Sequence, residues 1–326
     1  MSQDRLRVAV VGAGVFGKNH LRVVRESAVA ELAGVFDTDA PRRAAAAAEF
    51  GCPELASLAE VSAAAQAAIV AVPTTAHAEV AGALLEAGLD VLVEKPMAAT
   101  VDEGRRMVET ARAGGHILQV GHLERFNPAV TAAESLLTVP LFFEVHRLSV
   151  FSPRSLDVDV VADLMIHDLE IVLAMTGQMP SEVRAAGIQV LSSKVDIANV
   201  RLAFPNGCIA NLTASRVSTE RVRKLRFFQP QQYVSVDYAK QELFAVAVEN
   251  GQVKFLPRSF ERREPLKIQF DSFVACARTR EKPKVSGAEG LRALEVAASI
   301  VDKIKEHTAV VAQTLASFGR GGSATA

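Results

Sequence analysis

The sequence predicts an α/β chain in two parts: a doubly wound parallel sheet, then an α+β region built on an open antiparallel sheet. Three observations predict it. Up to about residue 120, short apolar strands alternate with helical stretches, the βαβ signature of a parallel sheet. A glycine-spaced turn joins the first strand to the first helix. Beyond about residue 140, strand-like runs follow one another without long helices between them, as an antiparallel sheet requires.

Arg7 to Val11 reads as the first strand and Val15 to Glu26 as the first helix. Glu31 to Phe36 is the second strand, ending at Asp37, and Pro41 opens a helix rich in alanine. Ala67 to Val72 is apolar throughout and stops at Pro73; Ala76 to Ala87 is helical, with Gly88 as its terminator. Val91 to Val93 leads to Lys95, Val101 to Ala113 is a helix, and His116 to Val120 is the fifth strand. The second part opens with an extended Leu141 to Val150 and a helix from Val161 to Met175. Strands follow at Glu182 to Leu191, Ile197 to Phe204, Cys208 to Ser215, Lys224 to Phe228, Tyr233 to Asp237 and Glu242 to Val248. Pro205-Asn206-Gly207 and Glu249-Asn250-Gly251 are hairpin turns. Two helices, Ile268 to Arg280 and Ala288 to His307, close the fold. The expected division is residues 1–123 for the parallel domain, 124–308 for the second domain and 319–326 for a flexible Gly/Ser/Ala tail.

Composition narrows the function. The 326 residues carry 36 basic and 37 acidic side chains, a net charge of -1, which gives no electrostatic basis for binding nucleic acid or an anionic membrane. No apolar run approaches the ~18 residues of a membrane span, and no secretory leader is evident, so a cytoplasmic protein is expected. Cys52, Cys208 and Cys276 are odd in number and widely spaced, which suits free thiols; no metal is expected.

Gly12-Ala13-Gly14-Val15-Phe16-Gly17 follows a strand and opens a helix. Gly12 permits a tight turn, Gly14 lets backbone approach a pyrophosphate, and Gly17 allows close helix–strand packing, with Val15 and Phe16 between them. The helix N-terminus then offers its N–H groups to the phosphates. Asp37, 20 residues past Gly17, suits ribose hydroxyls and repels a 2′-phosphate, so NAD is expected over NADP. Arg42 and Arg43 argue the other way unless they are solvated helix charges. Val72, Pro73 and Thr74 lie beyond the third strand, at the sheet edge that lines a ligand crevice. Thr75 reads equally as a helix cap. His77 reads equally as a cofactor neighbour or a polar residue of the first helical turn.

Glu94 and Lys95 end the next strand at the same edge. An ammonium there can steady a developing alkoxide; the alternative is a surface lysine, against which the stiffening Pro96 weighs. Asp163 and His167 lie four apart in an apolar helix and share a face, which suits a carboxylate orienting an imidazole for proton transfer. Arg125, Asn127, Arg147, Ser149 and Arg154 are candidates for a substrate bearing a diphosphate, or else surface polar groups.

The glycine loop, Glu94-Lys95-Pro96 and the Asp163/His167 pair together resemble the glucose-fructose oxidoreductase / inositol dehydrogenase (Gfo/Idh/MocA) family. The resemblance covers the chain to about residue 307. It implies an NAD-binding Rossmann domain and a sheet domain that covers the substrate and often forms a homo-oligomer, dimer or tetramer. Lys95, Asp163 and His167 match the family's catalytic positions. The run from Gly121 to Pro128, and that from Ser152 to Asp168, resemble its nucleotide-sugar branch. That implies oxidation of the 3-hydroxyl of UDP-N-acetylglucosamine, with an aminotransferase downstream on the way to 3-amino sugars of the lipid A type. The alternatives are an inositol or free-sugar dehydrogenase and, from another class, an NAD-binding regulatory protein without turnover.

Overall fold

The computed structural model describes residues 5–151, 158–257 and 259–321, with side chains as far as Thr314. The chain divides into two compact units. The first takes the chain through Pro128 and then Glu261–Leu294; the second takes Ala129–Phe260 and the chain from Glu295.

In the first unit the elements run β1 (Leu6–Val11), α1 (Val15–Arg25), β2 (Ala30–Phe36), α2 (Ala40–Phe50), α3 (Leu58–Ala64), β3 (Ala67–Val70), α4 (Thr74–Glu86), β4 (Asp90–Glu94), α5 (Val101–Gly114) and β5 (Leu118–Gly121). The strands are parallel, in the order β2-β1-β3-β4-β5. The order reverses between β1 and β3, so a crevice opens there at the carboxyl ends of the strands. Nearly every residue of β1, β3 and β4 is buried, as expected of strands covered on both faces. Local chemistry fixes the helix ends. Asp39 caps α2 by accepting from the Arg42 N–H, Thr100 and Glu103 form a capping box on α5, and Gly51 and Gly115 end α2 and α5 in the left-handed region.

One apolar layer lies between the sheet and α3, α4 and α5. The other lies beneath α1 and α2, and it also takes Leu266, Phe270, Phe273 and Val274 from a helix far along the chain, α8 (Pro265–Thr279). Gly287 and Gly290 lie against Leu118 and Val120 of β5; a Cβ at Gly290 would fall 2.5 Å from Val120. Residues 261–294 therefore complete the first unit, whereas the sequence reading gave them to the second. Their apolar faces match the first sheet's second layer, a pairing that no local pattern reveals.

The second unit holds α6 (Pro128–Glu134), β6 (Phe142–Val150), α7 (Ile166–Thr176), β7 (Glu182–Ile188), β8 (Ile197–Ala203), β9 (Ile209–Ser218), β10 (Val222–Gln229), β11 (Gln232–Asp237), β12 (Glu242–Glu249) and β13 (Gln252–Phe255). They form one sheet in the order β13-β12-β11-β10-β6-β9-β8-β7. It is antiparallel except that β6 runs parallel to β9, so it is mixed where an antiparallel sheet was expected. A parallel pair needs a crossover, and α7 with the β7–β8 hairpin supplies it. One face buries Phe143, Val145, Leu225, Phe227, Val234 and Val236. The opposite face carries Phe142, Phe228, Tyr233, Phe244 and Phe255, each ring 5.0–6.3 Å from the next across five strands. The last helix, α9 (Gly287–Gly321), runs beyond the expected end at His307 into the expected flexible tail, since 308–318 contains neither Gly nor Pro to stop it before Gly319.

Candidate active site

In the first unit the glycine turn has the features a dinucleotide requires. Gly12 has φ +98, and a Cβ there would meet the Ala71 carbonyl oxygen at 2.5 Å. A Cβ at Gly17 would fall 1.8 Å from the Gly12 oxygen, so any side chain at Gly17 separates helix from loop. A Cβ at Gly14 would meet nothing within 4 Å, and no side chain caps α1 there. Open space thus lies in front of bare helical N–H groups, the cradle a pyrophosphate fills. Val15 and Phe16 are exposed beside it.

Asp37 is buried at the end of β2, its carboxylate accepting the Ala13 N–H at 2.8 Å and the Asp39 N–H at 2.8 Å. Each oxygen keeps a lone pair for a ribose hydroxyl. Arg42 does not stand free for a 2′-phosphate: it pairs with Asp39 at 3.0 Å and lies 3.5 Å from Asp37. Arg43 turns to Glu54 and the Asp37 carbonyl. The residues present fit NAD.

Val72, Pro73 and Thr74 follow β3 beside this turn, and Thr75 caps nothing, since α4 starts at Thr74 without a side-chain cap. His77 faces inward. It is buried, its Nδ1 lies 2.8 Å from the Pro96 oxygen, and its Nε2 lies 2.9 Å from the Val72 oxygen. Burial pulls its pKa below the ordinary imidazole value, against the two carbonyls. His77 thus has both ring nitrogens against backbone carbonyls, and a neutral ring donates to one of the two.

Lys95 is half-buried just past β4, and the Lys95–Pro96 peptide is cis. Glu94 is buried beneath it, with Oε1 2.8 Å from His20 Nε2 and Oε2 accepting the Lys95 N–H at 3.3 Å. Its side chain is therefore held by contacts within the protein. His122 is 1% exposed, and burial, then the charges of Lys95 and Arg125, lower its pKa to about 3. It is a neutral imidazole beside two cations. Arg125 is buried in the 3₁₀ turn Leu123–Phe126, and Asn127, also buried, gives its amide to Glu124 at 3.4 Å.

In the second unit Asp163 and His167 are both half-buried. They do not share one regular α-helix. Asp163 lies in a π-helical turn, Val161–Met165, and His167 in the first turn of α7. Such turns recur at functional sites because the extra residue re-aims side chains. Arg147 departs from expectation. It is 2% exposed, donates to both Asp168 oxygens at 2.6 and 3.0 Å, and stacks 5.2 Å over the Tyr238 ring. Its strand position puts it on the buried face with Phe143 and Val145, so it braces α7 against β6 and is not offered to a diphosphate. Ser149 is half-buried where the β6–β9 register shifts, and Arg154 lies outside the described residues.

His20, buried against the Glu94 carboxylate, is a polar residue near Lys95 that sequence reasoning missed. Gly17, His20, Leu21 and Val24 form the buried stripe of α1, and a histidine inside such a stripe is the signal that could have found it.

The first unit thus defines an NAD-binding Rossmann oxidoreductase. A family model described as "Oxidoreductase family, NAD-binding Rossmann fold" matches residues 6–122, and one described as "GFO/IDH/MocA C-terminal domain" matches 143–232. The UDP-N-acetylglucosamine 3-dehydrogenase of Acidithiobacillus ferrooxidans is 33% identical over 90% of this chain and 96% of its own length. A solved structure of that enzyme superposes with a TM-score of 0.88 at 32% identity, covering 94% of this chain and 99% of the other. The inositol 2-dehydrogenase of Rhizobium meliloti is 24% identical over 92% of this chain and 97% of its own length. The chain belongs to the Gfo/Idh/MocA oxidoreductase family. It is an NAD-dependent dehydrogenase that acts on a CH–OH group.

Proposed function

We propose that the chain oxidises the 3-hydroxyl of UDP-N-acetylglucosamine to a ketone. The observation that carries this reading is the 33% identity, spanning 96% of its length, to an enzyme named for that reaction. Bound NAD+ supplies the hydride acceptor. His167, steered by Asp163, takes the hydroxyl proton. Lys95 donates a hydrogen bond to the oxygen as charge develops on it, an interaction that strengthens toward the transition state. Gly12, Gly14 and Gly17 let backbone hold the pyrophosphate, with Val15, Phe16, Val72, Pro73 and Thr74 beside it, and Asp37 holds the ribose. Arg125 supplies positive charge for the substrate's diphosphate, with Asn127 and Ser149 as polar neighbours and Arg154 as a further cation.

The aromatic row on the second sheet supports a homo-oligomer formed through that face, since a contiguous apolar patch of this size calls for a partner. A cytoplasmic location suits three free thiols and an NAD enzyme. An aminotransferase is the class of enzyme that would consume the ketone.

The test supplies NAD+ and UDP-N-acetylglucosamine, with myo-inositol and glucose in parallel. A 2-oxoglutarate or aminotransferase sink is added, and the keto or amino sugar is read by mass spectrometry. Product from the nucleotide sugar alone is expected, and product only from a free polyol overturns the substrate assignment. Lys95→Ala is expected to cut turnover by about a hundredfold or more while NADH binding persists.

A further inference from the structure

Lys95 is flanked in sequence by two residues, each held by a buried histidine from a different helix. On one side His20, 0% exposed, reaches from α1 to the Glu94 carboxylate at 2.8 Å, and the other Glu94 oxygen takes the Lys95 N–H at 3.3 Å. The carboxylate fits only because Gly121 has no side chain: a Cβ there would fall 2.8 Å from Glu94 Oε1. On the other side His77 reaches from α4, with Nδ1 2.8 Å from the Pro96 oxygen and Nε2 2.9 Å from the Val72 oxygen. A neutral ring donates to one of them, and the tautomer that holds Pro96 is the one whose Nδ1–H is given to its oxygen.

We propose that His20 and His77 are positioning residues that fix the Lys95 backbone from both sides through Glu94 and Pro96. The proposal rests on the reading of Lys95 as the group that meets the reacting oxygen. A lysine ammonium rides on a flexible four-carbon stem, so its placement depends on how firmly its Cα is held. Buried polar groups held this way are expensive to leave unpartnered, which makes the turn stiff. The two donors come from the helices that follow β1 and β3. The same elements bear the glycine turn and the Val72–Thr74 segment, so cofactor cradle and lysine share one frame. The Phe16 ring packs edge-on against His20, 5.5 Å between centroids, and links that frame to the cradle itself.

The experiment compares His20→Leu, His20→Gln, His77→Leu and His77→Gln with the parent and with Lys95→Ala. It measures kcat and KM for UDP-N-acetylglucosamine with NAD+, NADH affinity by nicotinamide fluorescence, and thermal melting. Leucine fills the buried space without a donor; glutamine restores one. The leucine variants are expected to lose roughly tenfold to a hundredfold in kcat, as a slightly misplaced catalytic group does, with KM and NADH affinity close to the parent. The glutamine variants are expected to recover most of that loss. Leucine variants with parental kcat overturn the proposal. So does a kcat loss that tracks NADH affinity in leucine and glutamine variants alike, or a leucine variant that does not fold, since either assigns the histidines to stability alone. Parental turnover in Lys95→Ala instead overturns the reading of Lys95, whatever the histidine variants do.

Discussion

His122 lies in the first unit within electrostatic reach of Lys95 and Arg125, and it stays neutral because burial and both cations oppose its charge. Its folded pKa of about 3 lies well below the ordinary 6.5. Between those values the unfolded chain binds a proton that the folded chain refuses, so stability falls as pH drops across that window. In His122→Leu the fall is expected to be shallower by up to one proton, measured as urea stability at a series of pH values from 7 to 3. Arg147 yields a second prediction. Its guanidinium and the Asp168 carboxylate are each 2% exposed, so Arg147→Ala leaves a buried charge without its partner. A loss of about 3–5 kcal/mol is expected on chemical denaturation. The type and position of Arg147 were legible in the sequence, but its use was not. Alternation along an extended segment says which residues share a face, yet only the assembled sheet says which face is buried. His77 and Glu94 show the same limit: both lie in the segments expected to line the crevice, with their side chains turned into the protein.

At the scale of elements, the glycine turn was the most legible part, because its demands are steric and local. Gly17→Ala sets a methyl carbon 1.8 Å from the Gly12 oxygen, where either helix or loop must move. NADH affinity is expected to fall at least about tenfold while the protein still melts cooperatively, read by fluorescence titration and calorimetry. The alternation of strands and helices in the first 121 residues was equally plain. The short α3 and α6, and the four-residue β13, offered too little periodicity to be found. The π-helical turn before α7 was invisible for another reason. Val161–Met165 carries the same apolar spacing an α-helix would, and its extra residue is a matter of hydrogen-bond choice rather than of composition. The parallel pairing of β6 with β9 joins strands 66 positions apart at Phe142 and Ile209, counting the residues between them, a distance no local pattern spans.

At the scale of the whole molecule, the two units were expected but their discontinuity was not. The aromatic row of the second unit supplies the prediction that belongs here. Phe244 is 49% exposed and Phe255 70% exposed. Replacing both with glutamate sets like charges on one face, and light scattering is expected to show a smaller particle than the parent chain gives. An unchanged particle size overturns the assignment of this face to assembly.

The placement of α8 in the first unit bears on how the protein is made. A ribosome releases β1 to β5 long before it releases Leu266, Phe270, Phe273 and Val274, so the nascent parallel sheet waits with part of one apolar layer uncovered while the entire second sheet is translated. The unit begun first cannot be completed until Leu294 has emerged. A gene truncated after Pro128 would encode the nucleotide cradle without the helix that closes its core.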